Sequence, residues 1–551
     1  MNLNSHELDI STIERPNYRD LIIFLIPFIV FSLYLYVFNP GVLTLDSFNQ
    51  LHQIATNQFS NWHPFFHTFI EMICLKIYAN PISVAVLQIW VFSSMWMIIC
   101  KYHRDDNKKN NTFILQVILT CIICLIPINA IYSITLWKDV LFSYFLMFLC
   151  FLIKVMLDRD GKVDLKFVVL MALVLAITSQ LRMNGMYIIL ISLIVLTIYL
   201  LLKKNPQKIY IALPALTLVF ILLIASLNVA YDVENAQKDF VFVKTSHMLA
   251  DYDLHLDLED ADRDKIHKMI NEEKLNESYN IYYSDPINWI SNEKVYRENQ
   301  HSYLELAIKY SIKNPDRFLF YLFKSADIVW DITRDSDWNG EVYYITADGP
   351  RIDQARDKYF EAIKSTPQKS YENVTGYNAG TGKYTLLSSF VNEARENIIL
   401  DTLFNSPALY MYLAIALLIA MHIITKSRDL YLVYLPNFLN ILLIFASIPV
   451  QDNRYLYANL LVCYLLIIIF MSLIESSKES NAILSKKHEE AVRRLNEENS
   501  PKDTLNNPHI EDSNPKTEVM PPQREETSEE MEARIRAEIH KELEMEKQRR
   551  K

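Results

Sequence analysis

LIIFLIPFIVFSLYLYVF (residues 21–38) gives way, after residues 39–43, to TLDSFNQLHQIATNQFSNWHP (44–64). The first stretch is apolar and close to the ~20 residues that cross a hydrocarbon core. The second is polar, holds the lone carboxylate Asp46 with no Lys or Arg beside it, and ends in Trp62-His63-Pro64. What an isolated aspartate does just outside a membrane helix depends on which side it faces and on what shares that side.

The chain as a whole repeats this contrast. Its 551 residues are 51% hydrophobic, yet the mean hydropathy is only +0.08, because apolar blocks alternate with strongly charged segments. The N-terminus, MNLNSHELDISTIERPNYRD, is too polar for a cleavable signal peptide, so the first apolar run is expected to remain as an anchor. All six cysteines lie in or beside apolar runs, which argues against disulfides between loops, and the lone Cys121-x-x-Cys124 reads as packing.

Runs of spanning length occur at about 21–38, 82–100, 112–130, 140–156, 167–180, 186–202, 209–231, 403–425, 430–448 and 458–474. The expected fold is therefore mainly α, a polytopic membrane protein of about ten transmembrane helices. Residues 65–78 (FFHTFIEMICLKIY) carry Glu71 and Lys76 and read as an interfacial or re-entrant helix. With the N-terminus (1–20) in the cytoplasm, the short inner loops hold 12 Lys/Arg: Lys101, Arg104, Lys108, Lys109, Arg159, Lys162, Lys166, Lys203, Lys204, Lys208, Lys426 and Arg428. The short outer loops hold three: Lys138, Arg182 and Arg454. This positive-inside bias predicts a multi-pass cell-membrane protein with both termini cytoplasmic.

The predicted organisation is a transmembrane core at 21–231 with a first outer loop at 39–81, an extracytoplasmic α-rich segment at 232–402, closing transmembrane helices at 403–474, and a tail at 475–551. Residues 232–400 carry 30 Asp/Glu against 20 Lys/Arg, equal to the whole chain's net charge of −10. HSYLELAIKYSIKNPDRFLFYLFKSADIVW (301–330) reads as aromatic-rich helix, and DSDWNGEVYYITADGP (335–350) as turns and loop. The tail has two charged helical patches, 485–499 and 527–551, joined by a Pro/Asn/Asp linker with too few apolar residues to fold.

Three basic residues on a side that avoids them need a reason. Each sits in a polar cluster at a helix end: Trp137-Lys138-Asp139, Arg182-Met183-Asn184-Gly185 and Gln451-Asp452-Asn453-Arg454-Tyr455. Together with Asp46 and His63 they face one membrane surface. Arg and Lys suit a phosphate or diphosphate, and a carboxylate opposite them can take a proton from an attacking hydroxyl. Structural readings stand beside these. Ser47-x-x-Gln50 fits a capping box, His63-Pro64 a helix start, Lys138-Asp139 a snorkelling helix end, and Asp452 with Arg454 a simple pair.

The lone first-loop acid in Leu45-Asp46-Ser47, followed by polar helical segments, resembles the GT-C superfamily of integral-membrane glycosyltransferases. With Trp62-His63-Pro64, Trp137-Lys138-Asp139, Arg182-Met183-Asn184-Gly185 and Asp452-Asn453-Arg454-Tyr455, residues 15–475 look like an uncharacterised, mainly Gram-positive branch. The resemblance implies that Asp46 is catalytic and that the donor is a polyprenyl-phosphate sugar. Topology adds Lys138, Arg182 and Arg454 as phosphate ligands, Trp62 and His63 as sugar-pocket residues, and Asp139, Asn184 and Asp452 as groups that orient them. The acceptor is expected to be an extracytoplasmic glycan, lipid or protein, and no nucleic acid is expected as partner. Ser47 stands where many relatives carry a second acid, so no metal or other cofactor is expected. A transporter or flippase of a lipid-linked sugar, and a non-catalytic membrane scaffold, are the rival classes.

Overall fold

The computed structural model describes residues 16–104, 111–202, 209–235, 240–333, 350–365 and 386–498. Its architecture is mainly α-helical, and among the described residues the only β pairings are isolated bridges. The first helix, α1 (Tyr18–Val37), leads into two short amphipathic helices, α2 (Leu45–Thr56) and α3 (Phe65–Ile77). A set of apolar helices follows: α4 (Ile82–Tyr102), α5 (Asn111–Leu125), α6 (Pro127–Ile134), α7 (Lys138–Asp158), α8 (Leu165–Leu181), α9 (Gly185–Leu201) and α10 (Ile209–Ala230).

Among the described residues, seven helical stretches are long and apolar enough to cross a membrane: α1, α4, α7, Tyr210–Ala230, Pro407–Thr425, Leu430–Ser447 and Asn453–Glu475. The run at 112–130, expected as one span, is bent by 69° between α5 and α6, making an eighth if the pair is one crossing. Pro127 is the cause: it cannot donate to the preceding turn, and it drives Ile126 into extended geometry (φ −79°, ψ 111°). α8 and α9, each 17 residues and apolar, stand where two further spans are expected. The bundle is built around α7, whose membrane window is 89% buried, with α4, α8 and α23 (Leu430–Ser447) against it.

The segment between the two sets of spans folds as short helices: α11 (Phe240–His255), α12 (Asp260–Met269), α13 (Glu272–Ser278), α14 (Asp285–Ile290), α15 (Glu293–Glu298), α16 (Gln300–Lys313), α17 (Pro315–Ser325) and α18 (Asp327–Trp330). Phe242, Leu249, Tyr252, Ile266, Tyr296 and Tyr303 give it a core of its own. After α19 (Pro350–Ser365), α20 (Leu386–Glu396) and α21 (Ile398–Asn405) comes α22 (Pro407–Thr425). The span expected from residue 403 thus begins at Pro407, because Ser406 turns extended, caps the Leu409 amide at 3.3 Å and hands Pro407 the first helical position. Residues 335–349 and the patch at 527–551 lie outside the described residues; the patch at 485–498 is helical as expected, within α24 (Tyr457–Glu498). Two compact units are separable, Met1–Phe470 and Met471–Lys551.

Opposite ends of the bundle carry different chemistry. At the start of α1, the fully buried Asp20 pairs with Arg104 and, at 3.2 Å, with Lys101, two of the residues expected in the cytoplasm. At the other end the α11–α18 segment is seated on the link between α23 and α24. There the Ser284 amide donates to the Pro449 carbonyl at 2.8 Å, and the Ile328 amide donates to Gln451 Oε1 at 2.8 Å. α19 packs on α2, with the Phe48 and Tyr359 rings 6.2 Å apart.

Candidate functional site

Asp46 reaches its place through a short structured approach. Gly41 has φ +116°, a backbone setting open to glycine, and a Cβ there would lie 2.7 Å from the Ile134 carbonyl oxygen. This close pass lets Val42 pair with the end of α6: the Val42 amide donates to Ile134 O at 2.9 Å, and the Leu136 amide donates to Val42 O at 3.2 Å. Thr44 caps α2, its amide donating to Ser47 Oγ at 3.1 Å, while Ser47 Oγ donates to Leu136 O at 2.9 Å. The expected Ser47-x-x-Gln50 box is therefore replaced by Thr44-x-x-Ser47, one turn earlier. Trp137 Nε1 donates to Thr44 Oγ1 at 2.7 Å and locks this approach to the start of α7, which is Lys138.

The first turn of α2 thus holds Asp46 against residues far away in the chain. Lys138 Nζ lies 3.2 Å from Asp46 Oδ2, and Arg454 Nη1 lies 2.8 Å from the same oxygen. His63 Nε2 is 3.7 Å from Asp46 Oδ1. Arg454 leaves a 3-10 turn, Asn453–Leu456, whose cap is Asp452, and its Nε is 2.9 Å from Asp452 Oδ2. The Arg454 guanidinium also lies over the Trp137 indole, 4.8 Å from the ring centre.

A second pair backs the first. Asp139 lies 3.5 Å from Lys138 Nζ and 3.1 Å from Arg182 Nε. Arg182 donates from Nη1 to the Tyr455 carbonyl at 3.1 Å and is held between the rings of Tyr455 and Phe142, at 4.7 and 5.6 Å. The six charges form one connected network of three carboxylates (Asp46, Asp139, Asp452) and three cations (Lys138, Arg182, Arg454). Among the carboxylates Asp46 is the one that meets solvent, its side chain 19% exposed against 1% for Asp139 and 3% for Asp452.

Electrostatics sets the resting state. Burial opposes the charge on Asp46, but the Lys138 and Arg454 cations, with the Lys138 hydrogen bond, outweigh it and hold the carboxyl well below the usual carboxylate range. Burial pushes His63 down to about 4 against the pull of Asp46, so near pH 7 it is neutral and the charges that act on Asp46 are Lys138 and Arg454. Trp62, the residue before it, is 43% exposed. Asn184 occupies the N-cap of α9, two residues after Arg182, without a capping side-chain bond.

Sequence reasoning passed over the layer behind Asp46. Gln50, on the next turn of α2, donates to Thr68 Oγ1 at 2.9 Å and meets His67 Nδ1 at 3.1 Å, and Glu71 Oε1 is 3.6 Å from that nitrogen. All four side chains are buried. Burial raises the Glu71 carboxyl well above its ordinary range and lowers His67 to about 3, so both changes favour the uncharged forms. The available signal was His67-x-x-x-Glu71, one helical turn apart on an otherwise apolar helix. Among the described residues no three His, Cys, Asp or Glu side chains converge as ligands for a metal ion. Comparison with known protein families, curated proteins and solved structures finds no match to this chain.

Proposed function

We propose that this chain is an integral-membrane glycosyltransferase of the GT-C kind, with about ten spans and both termini in the cytoplasm. It transfers a sugar from a polyprenyl-phosphate-linked donor to an acceptor in the cell envelope outside the cell membrane. The observation that carries this reading is Asp46 held by Lys138 and Arg454 at the end of the bundle where the large α11–α18 segment is seated. A carboxylate with two cations each within 3.2 Å of it, close to lipid depth, suits a lipid phosphate and an attacking hydroxyl brought together.

In this mechanism the acceptor hydroxyl gives its proton to Asp46 while its oxygen bonds to the anomeric carbon. The bond from that carbon to the phosphate oxygen breaks, its electron pair leaves with the polyprenyl phosphate, and the configuration inverts. Lys138 and Arg454 turn from Asp46 to the phosphate and stabilise the charge that grows there. Their departure also relieves the attraction that keeps Asp46 a weak base, so donor binding prepares the base. Arg182, 8% exposed and already held by Asp139, the Tyr455 carbonyl and two rings, fixes the 452–455 turn from behind. His63 and Trp62 border the sugar.

The test is reconstitution of the full chain in vesicles with polyprenyl-phosphate sugar donors and an envelope acceptor fraction. Sugar reaching the acceptor must match free polyprenyl phosphate one for one. A flippase instead moves the donor between leaflets and liberates none, and a scaffold does neither.

A further inference from the structure

The α11–α18 segment carries an apolar stripe that its own core does not use. On α16 and α17, Tyr310 and Tyr321 point inward and are buried, whereas Ile308, Ile312, Leu319, Phe320 and Phe323 are between 47% and 75% exposed. Their spacing follows one side of successive helical turns, and Trp330, 36% exposed, extends the stripe through its contact with Phe323 at 6.2 Å.

The height of this stripe on the bundle is fixed by two contacts. The Phe323 ring lies 5.2 Å from that of Phe445, two residues before the end of the membrane helix α23 at Ser447. Tyr412 Oη donates to the Trp330 carbonyl at 2.8 Å, from the second turn of the membrane helix α22, which starts at Pro407. The stripe is therefore continuous with the lipid-facing surface of two spans, at the level of the last turn of α23 and the second turn of α22. Neighbouring cations are already engaged: Arg317 Nε with Asp251 at 2.8 Å, Lys313 with Glu259 at 2.8 Å and Lys324 with Asp327 at 3.0 Å. An apolar contact, rather than attraction to anionic headgroups, is what this surface offers.

We infer that α16, α17 and Trp330 are sunk into the headgroup–acyl boundary of the outer leaflet, so that the extracytoplasmic segment is a lipid-docked body. The docking bears on the site, because the turn after α17 grips Gln451 from both sides. The Ile328 amide donates to Gln451 Oε1 at 2.8 Å, and Gln451 Nε2 donates to the Ser325 carbonyl at 2.8 Å. Gln451 lies three residues before Arg454, so the depth of α17 in the lipid sets the height of Arg454. None of this depends on sugar transfer being the reaction.

The experiment places an environment-sensitive NBD label at Phe320→Cys, and separately at Ile312→Cys, in a Cys121→Ser background, with Glu273→Cys, exposed on α13, as the solvent-facing control. The full chain is reconstituted in phosphatidylcholine–phosphatidylglycerol vesicles. Labels at 320 and 312 are expected to emit to the blue of the control, to be quenched by lipids nitroxide-labelled high on the acyl chain, and to resist aqueous iodide. Quenching by iodide with none from the nitroxide lipids overturns the inference. So does protection from both quenchers that disappears when protein is diluted into excess lipid, which identifies a second copy of this chain as the occupant.

Discussion

Replacing Asp46 by Asn removes one charge while keeping the shape, and the geometry separates its effect on chemistry from its effect on folding. The amide oxygen of Asn can still accept from Arg454 and Lys138, which stand at 2.8 and 3.2 Å. Breaking a fully buried ion pair by deleting one partner costs about 3–5 kcal/mol. Asp46 is 19% exposed and its partners 13% and 14%, and the substitute keeps an acceptor, so about 1–2 kcal/mol is expected here. Loss of a general base costs about 10²–10⁴ in rate, or about 3–5 kcal/mol of barrier. The rate loss thus exceeds the stability loss, and the variant stays folded while transfer stops. Binding moves the other way. The network of three carboxylates and three cations acquires one net positive charge, so polyprenyl phosphate, used alone as probe, binds equally well or up to about tenfold tighter. Initial rates in proteoliposomes, melting in detergent and titration with polyprenyl phosphate read the three quantities. Transfer within tenfold of the wild type, or a rate loss matched by an equal loss of probe affinity, would show that Asp46 is not the base.

Arg182→Lys keeps the charge but loses the bond to the Tyr455 carbonyl and the flat contact with two rings, so melting should show a loss of about 1–3 kcal/mol. The accompanying fall in transfer should appear in kcat, because the turn carrying Arg454 loosens. His63 contributes stability that is complete above its unfolded value of 6.5 and is lost as pH falls toward about 4, since the folded state refuses the proton. His63→Gln should shrink the fall in melting temperature across that window, recovering up to about 3 kcal/mol at its acid end; parallel pH curves for the two proteins would contradict this. Gly41→Ala places a methyl 2.7 Å from a carbonyl oxygen at φ +116°, and about 1–3 kcal/mol of destabilisation with reduced transfer should follow. An unchanged melting temperature would mean that the Val42–Leu136 pairing is not what seats Asp46.

Helices were legible because apolar runs of membrane length are a coarse and redundant signal. The special residues were legible because cations on the side poor in them stand out one at a time. What could not be read was who meets whom. Asp46 and Arg454 are 408 positions apart, and no local pattern distinguishes their pairing from the equally reasonable pairing of Arg454 with Asp452; the structure contains both. The break at Pro127 was hidden by the apolar residues on either side of it. Hydropathy reports that a segment avoids water, whereas the bend is decided by one missing amide hydrogen. Gln50 looked like part of a cap because caps are local. It is instead buried between α2 and α3, and its partners His67 and Thr68 come from the next helix.

The balance of charge in the network also bears on why two cations share one carboxylate. In the proposed reaction the sugar–phosphate–lipid diester carries one negative charge, and transfer would leave a phosphate monoester that carries about two at its second ionisation. Over the same proposed step Asp46 would go from ionised to protonated, so the total charge of site plus substrate would not change. One unit of negative charge simply moves from Asp46 to the phosphate. Lys138 and Arg454, which already touch Asp46 at 3.2 and 2.8 Å, serve that charge at its origin and, by turning, at its destination. In a site of low polarity, a reaction that relocates charge between fixed counter-ions avoids the cost of creating it, which is where a prearranged set of dipoles and charges gains most. Asp139 and Asp452 complete the arrangement. They keep the cations from repelling one another before the donor arrives, at 3.5 Å from Lys138 and 2.9 Å from Arg454, so the pocket can wait at the membrane rim as a neutral body.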